Sequence, residues 1–158
     1  MNKEKLNIVW LKRDLRTQDH APLEIAEQED INYLIIYLFE PQLLNYKDSS
    51  LRHQQFVYHS ILSMNETLKK FNRKVNLFYE DAPIIFSYLL NKYDIQHVFS
   101  YQESGIKLTW ERDKRLAKLF SKKNVFWHQF QRDGIIRGIK NRSGWDKKWY
   151  QQANSPLI

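Results

Sequence analysis

Tyr33-Leu34-Ile35-Ile36-Tyr37-Leu38-Phe39 is an unbroken apolar run, rich in β-branched and aromatic residues, and Glu40-Pro41 ends it. Seven such residues are too few for a helix in this setting, and with no polar residue among them they leave no face for solvent. The run reads as a central strand covered on both sides, the arrangement of a parallel sheet. Working outward, Leu6 to Leu11 forms a shorter apolar strand, followed by a polar loop from Lys12 to Gln18. Asp19 is placed to cap a first helix that carries Pro22 in its opening turn. Ser49 or Ser50 opens a long helix whose apolar stripe is Val57, Ile61, Met64, Leu68 and Phe71. Val75 to Tyr79, Ile95 to Tyr101 and Val125 to Phe130 are three further strands. They alternate with helices over Pro83 to Lys92 and Leu108 to Lys122, and Glu80 and Asp81 supply an acidic cap for the first of these.

Strands alternating with helices give βαβ units, and right-handed crossovers turn these into a Rossmann-like three-layer α/β/α fold with a five-stranded parallel sheet. Ligands of such folds sit beyond the carboxyl ends of the strands, so the loops after the first, second and fourth strands are the functional candidates. The domain is expected to span residues 1–131. Residues 132–158 then form a linker with three glycines, two tryptophans and no strand.

Composition narrows the function classes. The chain has 158 residues, no cysteine, and 25 Lys and Arg against 18 Asp and Glu. Without cysteine there is no disulfide, thiolate metal site or thiol nucleophile. No stretch approaches the length of a membrane span, and the opening residues lack a signal-peptide core, so a soluble, cytoplasmic protein is expected. The positive charge is uneven: residues 1–106 hold 12 cations against 14 anions, and residues 107–148 hold 13 against 4. Two readings of the basic helix around Arg112, Lys114, Arg115 and Lys118 stay open, a solvated face or an approach for a nucleic-acid backbone.

All four glycines follow residue 104, so the first loop cannot be a dinucleotide or P-loop phosphate cradle. The five histidines (His20, His53, His59, His97 and His128) lack metal-site spacing and read as surface or half-buried residues. No catalytic residues are assigned and no metal is expected. The first loop is different. Arg13-Asp14-Leu15-Arg16, followed by Asp19, sets two guanidiniums and two carboxylates at a strand's carboxyl end. There they form either a ligand wall or a salt-bridged lock between strand and helix.

Those residues also carry a resemblance. Val9-Trp10-Leu11-Lys12-Arg13-Asp14-Leu15-Arg16-Thr17-Gln18-Asp19-His20 is similar to the opening motif of the DNA photolyase/cryptochrome family, with His20 where asparagine is usual. Leu51-Arg52 with Phe56, Tyr101-Gln102-Glu103 with Arg112-Asp113, and the run from Gly134 to Trp149 resemble later family segments in the same order. The resemblance implies the N-terminal, light-harvesting-chromophore domain of a deoxyribodipyrimidine photolyase, a lyase that uses light to repair pyrimidine dimers in DNA. In that family FAD sits in a separate C-terminal helical domain, which is absent here, so this chain alone is not expected to be catalytic.

The resemblance further implies an antenna chromophore in the α/β domain. Folate is disfavoured because Thr109 stands where an acidic residue would grip it. A deazaflavin, FMN or lumazine is favoured instead, in a pocket whose wall positions are Arg13, Asp14, Leu15, Phe39, Glu40, Arg52, Gln55, Tyr101 and Glu103. The implied partners are the chain's own helical FAD domain and, through the intact protein, damaged DNA. The isolated chain is expected to expose an apolar face and to self-associate. Two alternatives remain at this point: the same domain of a cryptochrome blue-light receptor, and a stand-alone nucleotide-binding module of the universal-stress or electron-transfer-flavoprotein type.

Overall fold

A computed structural model describes residues 3–131, 133–135 and 140–158. The elements run β1 (Lys5–Leu11), α1 (Ala21–Gln28), β2 (Tyr33–Leu38), α2 (Pro41–Leu44) and α3 (Leu51–Leu68). Then follow β3 (Val75–Phe78), α4 (Ala82–Lys92), β4 (Asp94–Tyr101), α5 (Lys107–Lys122), β5 (Phe126–Phe130) and α6 (Trp145–Ala153). The sheet order is β3-β2-β1-β4-β5 and every pairing is parallel. Strand order reverses between β1 and β4, which opens a crevice at their carboxyl ends.

The sheet's alternation divides the core. Ile8, Trp10, Ile36 and Leu38 point toward α4 and α5, where they meet Phe86, Leu89, Leu116 and Phe120. Val9, Leu11, Ile35 and Phe99 point the other way, toward Leu23 and Ala26 of α1 and Ile61, Met64 and Leu68 of α3. β2 therefore feeds both cores, as its uniformly apolar sequence requires. The two helical layers differ. α4 and α5 pack side by side, whereas α1 lies over β1 and β4, α3 over β3, and the two make only glancing contact.

Local details depart from the sequence pattern. Asp19 does not cap α1: it sits at φ 50°, and His20 is the cap, its Nδ1 accepting from the Leu23 N–H at 3.2 Å. The imidazole reaches this bond while its other nitrogen holds Asp14, a double task beyond Asp19's short carboxylate. Ser50 does open α3, its hydroxyl accepting from the His53 N–H. Phe71 leaves the apolar stripe and is 60% exposed, because the helix tightens into a 3-10 turn at Lys69–Phe71 and rotates it outward. Glu80 and Asp81 lend α4 no side-chain cap. The Ala82 N–H donates instead to Glu40, 42 residues away in sequence.

Beyond Gln131 the stretch read as a linker contains α6. Trp145 Nε1 donates to the Gly134 carbonyl, and Trp149 lies so close over Gly134 that a β-carbon there would come within 2.0 Å of its ring. Arg132 and residues 136–139 of the glycine-and-arginine motif lie outside the described residues.

Candidate functional site

Strands β1, β2 and β4 end together, and each delivers charge to the same buried edge. Lys12 and Asp14 follow β1, Glu40 follows β2 and Glu103 follows β4, while Arg112 and Asp113 reach in from the buried side of α5. Burying this many ions demands pairing, and the pairs are present. Arg112 meets Glu40 at 2.5 Å and Asp113 at 2.9 Å, with Glu103 at 3.7 Å. Lys12 Nζ meets Asp113 at 3.3 Å and donates to the Tyr101 carbonyl. Both cations lie over the Trp10 ring, at 4.3 and 4.8 Å from its centre. Burial lowers the Lys12 ammonium from its ordinary value, against the pull of Asp113. Burial likewise pushes the Glu40 carboxyl up, against Arg112 and the Ala82 N–H.

A second arm of this network fixes the loop after β1. Asp14 accepts from the Lys12 N–H at 2.9 Å and binds His20 Nε2 at 2.7 Å. With Nδ1 facing the Leu23 N–H, Nε2 is the ring nitrogen placed against the Asp14 carboxylate. Tyr101 stands edge-on to His20, and its hydroxyl accepts from the Ala21 N–H. Arg13 crosses from this loop to Glu103 at 2.9 Å. His20 is thus fully buried, where its sequence context suggested a surface or half-buried residue.

The expected wall residues are only partly assembled. Arg13, Asp14, Glu40, Tyr101 and Glu103 join one network. Phe39 is half-buried against the α1/α3 core, edge-on to Tyr37 at 5.0 Å. Leu15 packs on the same core and also lines a groove of about 480 Å³ between its loop and α3. Arg52 and Gln55 are exposed, and neither side chain pairs with any described residue. Facing Leu15 across the groove, α3 contributes Phe56, His59, Ser60, Ser63, Met64 and Thr67; Phe56, His59 and Met64 were noted in the sequence in other roles, and none of the six was expected at the site. Their i, i+3, i+4 and i+7 spacing on one helix face was the available signal. Tyr37 was also missed. Burial pushes its phenol up to about 12, helped by Glu40 and Glu103. Thr109 is buried and donates to the Ile106 carbonyl, so its hydroxyl already has a partner.

Through Glu40 and Arg112 this network borders a recess of about 130 Å³, and its β1 loop borders the wider groove against α3. The sequence model of the family described as DNA photolyase matches residues 7–146. The chain belongs to the DNA photolyase family. It is 26% identical over 146 residues to a deoxyribodipyrimidine photo-lyase of Buchnera aphidicola, which covers 86% of this chain and 29% of that protein. An archaeal photolyase from Sulfolobus tokodaii, solved with two FAD molecules, superposes with a TM-score of 0.74 at 18% identity. The match covers 92% of this chain and 35% of that one.

A cryptochrome from Synechocystis gives 0.77 at 14% identity, covering all of this chain and 36% of that one. A class III photolyase from Agrobacterium tumefaciens gives 0.74 at 20%, covering 91% and 30%. This photolyase-family chain thus spans about a third of the length of the proteins it matches, and corresponds to their α/β domain. A stand-alone module of the universal-stress or electron-transfer-flavoprotein type is set aside by the family match. No helix among the described residues is long and apolar enough to cross a membrane.

Proposed function

We propose that this domain is the light-harvesting part of a deoxyribodipyrimidine photolyase, and that it holds a flavin-like antenna ring in the groove between the β1–α1 loop and α3. When bound, a deazaflavin, FMN or lumazine ring absorbs light and passes the excitation to FAD held in a separate helical domain. The observation that carries the reading is the groove. Its volume lies in the range of small-molecule sites, and Leu15, Phe56 and Met64 supply apolar walls for a planar ring. Thr17, Ser60, Ser63 and Thr67 add hydroxyls that can meet its polar edge. Arg16, which lines the groove, is the cation at its wall, and the exposed Arg13 and Arg52 are proposed to stand at its rim. Phe39 and Gln55 complete the proposed surroundings. Asp14, Glu40, Tyr101 and Glu103 act from behind, as internally paired groups that hold the loops in place.

The Sulfolobus photolyase, reported with two FAD molecules and the implication of a novel light-harvesting cofactor, lends the flavin reading weight over folate. So does Thr109, which is neutral and already engaged. In the intact protein the substrate would be pyrimidine dimers in DNA, the partner the helical FAD domain, and the setting the cytoplasm.

The test is equilibrium titration of the purified chain with FMN, a deazaflavin, a lumazine and a folate, followed by near-UV absorption and fluorescence. At least one flavin-like ring should bind at micromolar concentration, and Ser63→Trp, which fills the groove, should abolish it. Failure of all three to bind, or binding unaffected by Ser63→Trp, would defeat the proposal.

A further inference from the structure

The charge imbalance of the sequence resolves into one helix face. α5 buries Thr109, Arg112, Asp113, Leu116 and Phe120 against the sheet. Arg112 is therefore removed from any external surface, although its sequence position had grouped it with the basic patch. What remains outward is Lys107, Lys114, Arg115, Lys118 and Lys122, all exposed, with Glu111 the one acid among them. Glu111 is itself occupied by Lys107 at 3.7 Å.

Helical spacing then aligns these cations. Lys107, Lys114, Lys118 and Lys122 follow offsets of seven, four and four residues, which bring them onto a single ridge about 22 Å long. The last three are spaced at about 6 Å, close to the separation of neighbouring phosphates along one nucleic-acid strand. Trp110 borders the ridge, 48% exposed, with the Lys114 ammonium 4.6 Å from its ring centre. A helix face that is merely solvated mixes both signs evenly and seldom spends a tryptophan on water. This one sets five cations against one acid and exposes Trp110, while residues 1–106 carry more acid than base.

We propose that the outward face of α5 is a lesion-independent docking surface for the phosphate backbone of duplex DNA. Lys114, Lys118 and Lys122 track successive phosphates, and Lys107 and Arg115 extend the field that draws the duplex in. Phosphate contacts of this kind position a protein without reading sequence or damage. The surface uses residues distinct from those of the groove, so either proposal can fail alone.

The experiment is anisotropy of a labelled, undamaged duplex titrated with the chain between about 50 and about 200 mM salt. The triple variant Lys114→Gln/Lys118→Gln/Lys122→Gln should lower the slope of log affinity against log salt by about 2.7. A charge-matched control, Lys69→Gln/Lys70→Gln/Lys74→Gln, removes three exposed lysines outside α5 and should leave the slope near that of the parent. Far-UV circular dichroism confirms that both triples fold, since every position altered is exposed. A dimer-containing duplex should bind the chain no more tightly than the undamaged one. Equal effects of the two triples, an unchanged slope, or no binding at the lowest salt would overturn the inference. So would phosphatidylserine vesicles that engage the same three lysines more tightly than the duplex does.

Discussion

Replacing Arg112 with methionine would remove the cation on which three buried carboxylates converge. The size of the loss follows from what each carboxylate keeps. Asp113 retains Lys12 at 3.3 Å, and Glu103 retains Arg13 at 2.9 Å. Glu40 is left with the Ala82 N–H at 3.1 Å as its one described hydrogen bond, although it is only 5% exposed. Stranding one buried ion in this way costs about 3–5 kcal/mol, and the methionine stem restores part of the packing on Trp10. We therefore expect a loss near the lower end, about 3 kcal/mol, read as a fall of roughly 6–12 °C in Tm for a chain of this size. Urea unfolding followed by circular dichroism measures it directly.

Burial already raises the Glu40 carboxyl, and losing the guanidinium raises it further. A group raised in the folded state contributes its full stability below its unfolded value, near 4.5, and loses it as pH climbs through the folded value. The deficit of Arg112→Met should accordingly be larger at neutral pH than in mild acid. Adding Glu40→Gln should restore about 1–2 kcal/mol, because the stranded charge is then gone. A single-variant loss below about 1 kcal/mol, or a double variant no more stable than the single, would refute the account of this network.

Two other outcomes follow from the same edge and its neighbour. His20→Ala removes the α1 cap, about 1 kcal/mol, and deprives Asp14 of a buried partner, about 1–3 kcal/mol more. His20→Asn keeps the cap and should recover the first portion, so equal urea midpoints for the two variants would contradict the capping role. On the open side of β4 and β5, His97 Nδ1 and His128 Nε2 stand 3.0 Å apart, and His128 is held below its ordinary value by burial and then by His97. The unfolded chain then binds the proton first, so this contribution is complete above about 6.5 and declines as pH falls below it. The urea midpoint of the parent chain should drop on acidification more steeply than that of His128→Gln; parallel curves would exclude His128 as the cause.

The sheet was legible because its signal is local. Tyr33 to Phe39 could only be a strand buried on both faces, and the alternation with helices left few other layouts. The charged edge was legible in part. Arg13 and Asp14 announced that something at the end of β1 needed pairing, but their partners are His20 nearby and Glu103 far along the chain. Sequence spacing carries no information about contacts between loops that the fold alone brings together. The same limit hid Glu40's bond to the start of α4 and its pairing with Arg112. Asp19 was misread because aspartate is a strong cap by propensity, yet its backbone takes the left-handed region and its carboxylate meets Arg16 at 3.2 Å. α6 escaped because two tryptophans on a polar segment look like a tail until Gly134 is seen beneath them. The hydroxyl-bearing face of α3 escaped because serine and threonine at helical spacing read as solvent exposure.

The unequal helical layers have a consequence for how this domain tolerates change. α4 and α5 are braced against each other and bolted to the strand ends by Arg112, so that layer behaves as a chassis. α3 stands apart from α1, and substitutions along its inner row would recontour the hollow beside Leu15 without unseating the chassis. Two daughters of one ancestral chain could thus part ways in the shape of this hollow while sharing the same frame.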